Sequence, residues 1–160
     1  MINIRLVQEK DLAPLSMIYK ALYNNSSVLN ENWTEESAFK LLYFYYTSQP
    51  DIFVIAEEDG VVVGAVMSLV KPWYNGNRLI ETEIIVTESR QHCGIASKMF
   101  KEHFKRASDI YDVKTIEAHT FQDERGYPLK WYKKQGYTID NNLLVINGNI
   151  PRVLSYFMAH

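Results

Sequence analysis

The chain has 160 residues, 47% of them hydrophobic and 22% charged, with a formal net charge of −2 and one cysteine. That length suits a single domain, 1–160, whose core needs no staple. One cysteine excludes a disulfide framework or Cys-rich zinc module, and the apolar content excludes a disordered chain.

Without a basic surplus, a nucleic-acid partner is not expected. The most apolar stretch, Val61 to Val70, contains Gly64 and Ser68 and is about half the ~20 residues of a spanning helix, so no membrane partner is expected either. Met1 to Arg5 shows no signal-peptide pattern, and Cys93 reads as a free thiol, so the expected compartment is a reducing cytoplasm.

Ile2, Ile4 and Leu6 alternate with polar residues as in a strand. Asp11 is placed to cap a helix carrying Leu12, Leu15, Ile18, Tyr19 and Leu22 at helical spacing. Asn24 to Asn32 reads as a loop, and Thr34 caps a second helix that ends before Pro50. Ile52 to Ala56 and Val61 to Leu69 form a hairpin around Asp59-Gly60, and Trp73 to Asn77 is a turn into a strand from Leu79 to Val86. Gly94 to Ala107 is an amphipathic helix with Ile95, Met99, Phe100, His103 and Phe104 on one side. A strand over Val113 to Phe121 follows, then a short helix over Pro128 to Gln135 stopped by Gly136. Tyr137 to Ile146 and Ile150 to Phe157, joined by Asn147-Gly148, read as a last hairpin. The order βααβββαβαββ predicts a mixed α/β domain around one twisted sheet.

Leu79 to Phe100 carries the chemistry: a strand, a loop, and a helix opening near Gly94 with Ala96 two places on. The first amides of a helix have no partner within it, and the helix dipole adds partial positive charge, so the turn suits a pyrophosphate. The same pattern also fits an ordinary helix start after a strand. No pattern here has metal-ligand spacing, and no metal is expected.

Gln91-His92-Cys93-Gly94-Ile95-Ala96 resembles motif A of the GNAT N-acetyltransferases, Gln/Arg-x-x-Gly-x-Gly/Ala. The likeness runs along nearly the whole chain. Ile2 to Leu12 resembles the family's opening strand and helix, Phe53 to Gly64 its first hairpin, and Trp131-Tyr132-Lys133-Lys134-Gln135-Gly136-Tyr137 its motif B. The resemblance implies a GNAT fold and acetyl transfer from acetyl-CoA to an amine in a ternary complex. It implies that Gln91, His92, Cys93, Gly94, Ile95, Ala96 and Ser97 cradle the diphosphate, and that the amides around Ile84, Ile85 and Val86 polarise the thioester. Tyr132 aligns with the family's general acid.

An alkyl amine arrives protonated at neutral pH, so a base is required. Glu83 and Glu81 are the candidates, and strand alternation puts both on one face. The family's commonest base position falls on Thr82, one residue earlier, and a bulge common in the family would re-aim Glu83. Two carboxylates and mild acidity favour a small cationic amine as acceptor. The rival readings are a non-catalytic acyl-CoA-binding module of the same fold and an enzyme acting on a protein or peptide amine. A toxin acting on charged transfer RNA wants a basic surface, which this composition does not supply. Tyr43-Phe44-Tyr45-Tyr46 circles its helix and leaves rings for a substrate groove or a homodimer contact.

Overall fold

The computed structural model describes residues 1–29 and 31–158. Asn30, in the expected Asn24–Asn32 loop, and residues 159–160, at the end of the expected domain, lie outside the described residues. Within them one sheet runs in chain order: β1 (Ile2–Leu6), β2 (Val54–Glu58), β3 (Val61–Trp73), β4 (Gly76–Val86) and β5 (Val113–Ile116). Neighbours are antiparallel except β4 and β5, which are parallel and joined through a helix. The helices are α1 (Leu12–Asn24), α2 (Glu35–Ser48), α3 (Ile95–Tyr111), α4 (Leu129–Lys134) and α5 (Ile150–Met158).

Both faces of the sheet are covered, as its near-continuous apolar strands require. Leu12, Leu15 and Tyr19 of α1 and Ala38, Leu42 and Tyr45 of α2 pack on Phe53, Ile55, Ala65, Met67 and Ile85. On the other face Ile95, Met99 and Phe100 of α3 and Tyr132 of α4 pack on Val54, Ala56, Val63 and Val66. Each aliphatic side chain so buried contributes roughly 1.5–3 kcal/mol. Gly64 permits the closest approach: a Cβ there would lie 2.6 Å from the Ile85 carbonyl oxygen.

Local signals settle most element ends. Thr34 accepts from the Ser37 amide at 3.0 Å while the Ser37 hydroxyl takes the Thr34 amide at 2.9 Å, a reciprocal cap on α2. Asp11 differs from expectation. Its carboxylate takes the Gln8 amide and a fork from Arg5, both closest at 2.7 Å, and leaves α1 without a side-chain cap. The β3–β4 connection is tighter than expected. Trp73 pairs with Gly76, so only Tyr74-Asn75 turn, and Lys71 and Arg78 both lie over the Trp73 ring. Of the four-ring run on α2, Tyr45 is buried, Tyr46 half-buried, and Tyr43 and Phe44 exposed.

Two elements correct the sequence reading. The expected strand Val113–Phe121 stops at Ile116, because its pairing with β4 ends at Leu79, two residues before the left-handed Glu81, and no ladder partner follows among the described residues. The expected last hairpin is absent: 150–158 is α5, giving the order βααβββαβαα. Asn149 caps this helix, accepting from the Arg152 amide at 3.1 Å, and Pro151 sits in its first turn, where a missing N–H costs nothing. Ile150, Val153, Leu154, Phe157 and Met158 also recur at helical spacing, and that period prevails over the Asn147-Gly148 turn signal.

Candidate active site

The site is built on an irregularity in β4. Met67 pairs with Glu83, but Leu69 pairs with Ile80, so two residues of β4 face the single Ser68 of β3. This is a β-bulge, and Glu81 takes the left-handed conformation at φ +49°. Alternation breaks there, which corrects the expectation that Glu81 and Glu83 share a face. Glu81 is exposed, and its carbonyl accepts the Tyr45 hydroxyl at 2.7 Å. Glu83 is half-buried on the α1 side, where the Tyr23 hydroxyl donates to its carboxylate.

Burial raises the Glu83 pKa. The Tyr23 bond opposes that, and the negative charges of Glu31 and Glu81 push it further up. Burial, and then the Glu83 charge, drives the Tyr23 phenol above its ordinary value, so Tyr23 remains the donor. Tyr19 and Tyr23 stack at 4.3 Å between ring centres, and Trp33 meets Tyr19 edge-on at 5.0 Å. The Trp33 indole N–H donates to Glu31 at 2.5 Å. A cluster of aromatic rings and carboxylates therefore adjoins the bulge, and both charges acting on Glu83 are negative.

On the other side of β4 the sheet opens. β5 pairs only with Asn77 to Leu79, and the Glu117 amide to the Leu79 carbonyl, at 2.8 Å, is the last backbone link among the described residues. Thr87 donates to the Val63 carbonyl at 2.9 Å. Antiparallel alternation then puts the Ile85 amide on Ala65, and turns the Ile84 and Val86 amides to the open edge. Of the three expected donors, Ile85 is thus committed to the ladder. Val86 confirms the geometry, since its outward carbonyl accepts the Gln91 side-chain amide at 3.1 Å.

Tyr132 packs in the core cluster that Ile84 and Val86 of β4 adjoin, 8% exposed, with its ring 5.1 Å from Tyr137. Burial, then the neighbouring Tyr137 and Glu83, push its phenol up to about 12. Among the described residues its hydroxyl has no hydrogen-bond partner. It is a protonated, uncommitted donor at neutral pH.

At the start of α3, Gly94 is left-handed at φ +75° and a Cβ there would meet nothing within 4 Å. His92 is also left-handed, at φ +61°, and Gln91, His92 and Cys93 are all exposed. The Lys98 amide to the Gly94 carbonyl, at 3.2 Å, is the first bond of the helix, so the Ile95, Ala96 and Ser97 amides precede it and point out of the end. Gln91 differs: its own amide goes to the Glu88 carbonyl at 3.2 Å, and it braces the loop. Buried Ile95 anchors the turn from below. An open left-handed glycine, three outward amides and a parted sheet edge fit a diphosphate with an extended arm. Among the described residues no group of His, Cys, Asp and Glu is placed to hold a metal ion, and no helix is long and apolar enough to cross a membrane.

The sequence reading missed Tyr23, Ser68 and the partners of His103. Ser68 had a signal, as the lone hydroxyl in an apolar strand; Tyr23 had none, since its partner lies 60 positions away.

The family model described as "Acetyltransferase (GNAT) family" matches residues 16–137, and the chain belongs to that family. It is an acyltransferase of a family that uses acetyl-CoA and acts on amines. Solved structures share the fold. Glucosamine-6-phosphate N-acetyltransferase from Arabidopsis thaliana superposes with a TM-score of 0.67 at 13% identity, over 93% of this chain and 99% of that one. Ribosomal-protein-alanine N-acetyltransferase from Brucella melitensis biovar Abortus 2308 gives 0.67 at 15%, over 93% and 100%. An N-acetyltransferase from Staphylococcus aureus Mu50 gives 0.61 at 20%, over 85% and 82%. No curated protein matches the sequence.

Proposed function

We propose that this chain transfers an acetyl group from acetyl-CoA to a small cationic amine, by direct attack in a ternary complex. The observation that carries the reading is Glu83: a half-buried carboxylate beside the bulge, with a raised pKa, close to Tyr23, Glu31 and Glu81 and near enough to Tyr132 for its charge to act on that phenol.

Acetyl-CoA supplies the activated acyl group and a thiolate leaving group. The Ile95, Ala96 and Ser97 amides hold its diphosphate. The Ile84 and Val86 amides stand ready for the charge that develops on the thioester oxygen, a role worth about 3 kcal/mol of barrier per donor in comparable sites. Glu83 takes a proton from the ammonium; the freed nitrogen forms the new C–N bond as the C–S bond breaks. Tyr132 gives its proton to the departing sulfur, and the second proton, which the nitrogen sheds as it becomes an amide, returns through solvent to the phenolate. Glu31 and Glu81 attract the cationic acceptor, and the Tyr23 and Trp33 faces favour it further.

The test is thiol release with a panel of small amines, beside calorimetric titration with CoA. Glu83→Gln is expected to slow turnover about 100-fold or more. Tyr132→Phe is expected to slow it while leaving CoA affinity unchanged. Loss of CoA binding in Tyr132→Phe would instead reassign that phenol to the binding site, and wild-type turnover by Glu83→Gln would remove the proposed base.

A further inference from the structure

Beneath the bulge lies a row of polar side chains that the proposed chemistry does not use. Ser68 and His103 are completely buried. His103 Nδ1 lies 2.6 Å from the Ile52 carbonyl oxygen, and its Nε2 lies 2.9 Å from Ser68 Oγ. Ser68 Oγ in turn lies 2.9 Å from Thr82 Oγ1.

The chemistry of the groups fixes the direction of every bond. A carbonyl only accepts, so Nδ1 carries the ring proton and donates to Ile52. Burial holds the His103 pKa down at about 4, so the ring is neutral and Nε2 accepts from the Ser68 hydroxyl. Ser68 has then given its one hydrogen inward, and its oxygen must receive the Thr82 hydroxyl. The row runs one way, Thr82 to Ser68 to His103 to the Ile52 carbonyl, and ends on main chain.

Its position matters more than its composition. Ser68 is the β3 residue at the register slip, and Thr82 is one of the two β4 residues that face it. The row therefore crosses the bulge itself. A non-glycine residue at φ +49°, as Glu81 is, persists only where its surroundings over-determine it. Tyr45 holds the Glu81 carbonyl on one side, and the Thr82 row holds the next residue on the other.

We propose that Thr82, Ser68 and His103 form a positioning device that fixes the β4 bulge, and through it aims Glu83 and keeps the Ile84 amide on the open edge. Its effect on turnover rests on the acetyl-transfer reading given above; its effect on the bulge does not.

The test compares Thr82→Val, which keeps the shape and loses the hydroxyl, with Thr82→Ser, which keeps the hydroxyl. Amide hydrogen exchange over residues 80–84 reads the bulge, and kcat, KM for the amine and CoA affinity read the site. Thr82→Val is expected to speed exchange there and to lower kcat about 10- to 100-fold at unchanged CoA affinity, since small misplacements of reacting groups cost that much. Thr82→Ser is expected to restore both, and Ser68→Ala, cutting the row at its middle, is expected to match Thr82→Val in exchange. Wild-type exchange in Thr82→Val, or Thr82→Ser as defective as Thr82→Val, overturns the proposal. If the wild-type protein acetylates no amine while Thr82→Val still speeds exchange, the acetyl-transfer reading fails and the positioning row stands.

Discussion

Acidification should destabilise this protein through the His103 ring. That ring is completely buried, and burial brings its pKa from 6.5 down to about 4 despite the bond to the Ile52 carbonyl. Between those two values the unfolded chain binds a proton that the folded chain does not. His103 therefore costs nothing above pH 6.5; stability falls as pH drops through the window and levels off below about 4. The gap corresponds to about 3 kcal/mol, a large fraction of a typical domain's stability. Glu83 works in the opposite sense, because its raised pKa makes the folded form the better proton acceptor just above the ordinary carboxylate value. Asp11 loses its contribution only at lower pH: burial raises its pKa, but the Arg5 fork and the Gln8 amide outweigh that and hold it below its ordinary value. The variant that isolates the ring is His103→Gln, which still offers a donor and an acceptor but does not titrate. Urea unfolding followed by tryptophan fluorescence, in steps from pH 6.5 to pH 4, gives the stability of both proteins. The wild type is expected to lose about 3 kcal/mol more than His103→Gln across the window. Equal slopes for the two would refute the reasoning.

Gly64→Ala should destabilise by about 2 kcal/mol, because its Cβ would sit 2.6 Å from a backbone oxygen, Ile85, that cannot move without moving β4; the urea midpoint reads this. Gly94→Ala adds a Cβ that meets nothing within 4 Å, so its cost is the left-handed backbone, about 1–2 kcal/mol. Titration calorimetry should show weakened CoA binding by a protein whose circular dichroism remains native. The pH profile of kcat/KM should rise through the Glu83 pKa, placing its acid limb above the usual carboxylate range, and Glu83→Gln should remove that limb.

The parts of the fold legible in the sequence are those specified by neighbours in the chain. Thr34 with Ser37, Asp59-Gly60, and the Gln91-to-Ala96 turn each act within a few residues, and each lies where its pattern predicts. Glu83 stood out as a charge in an apolar strand, but its surroundings did not. Its donor Tyr23 comes from α1, and the bulge that separates it from Glu81 is held by Tyr45, Ser68 and His103, none nearer than 14 positions to its contact on β4 or β3. Simple alternation therefore put both glutamates on one face. The C-terminal stretch failed for a different reason: Asn147-Gly148 favours a hairpin while Asn149, Pro151 and the spacing of Ile150, Val153 and Leu154 favour a helix, and two local signals competed without a nearby contact to decide between them.

The most direct test is mass spectrometry on the protein incubated with acetyl-CoA and a panel of small cationic amines, with free thiol measured in the same samples. Acetylated amine and free CoA appearing in equal amounts, both nearly abolished in Glu83→Gln, is the predicted result. Acetyl-CoA bound tightly while every amine stays unmodified would contradict it.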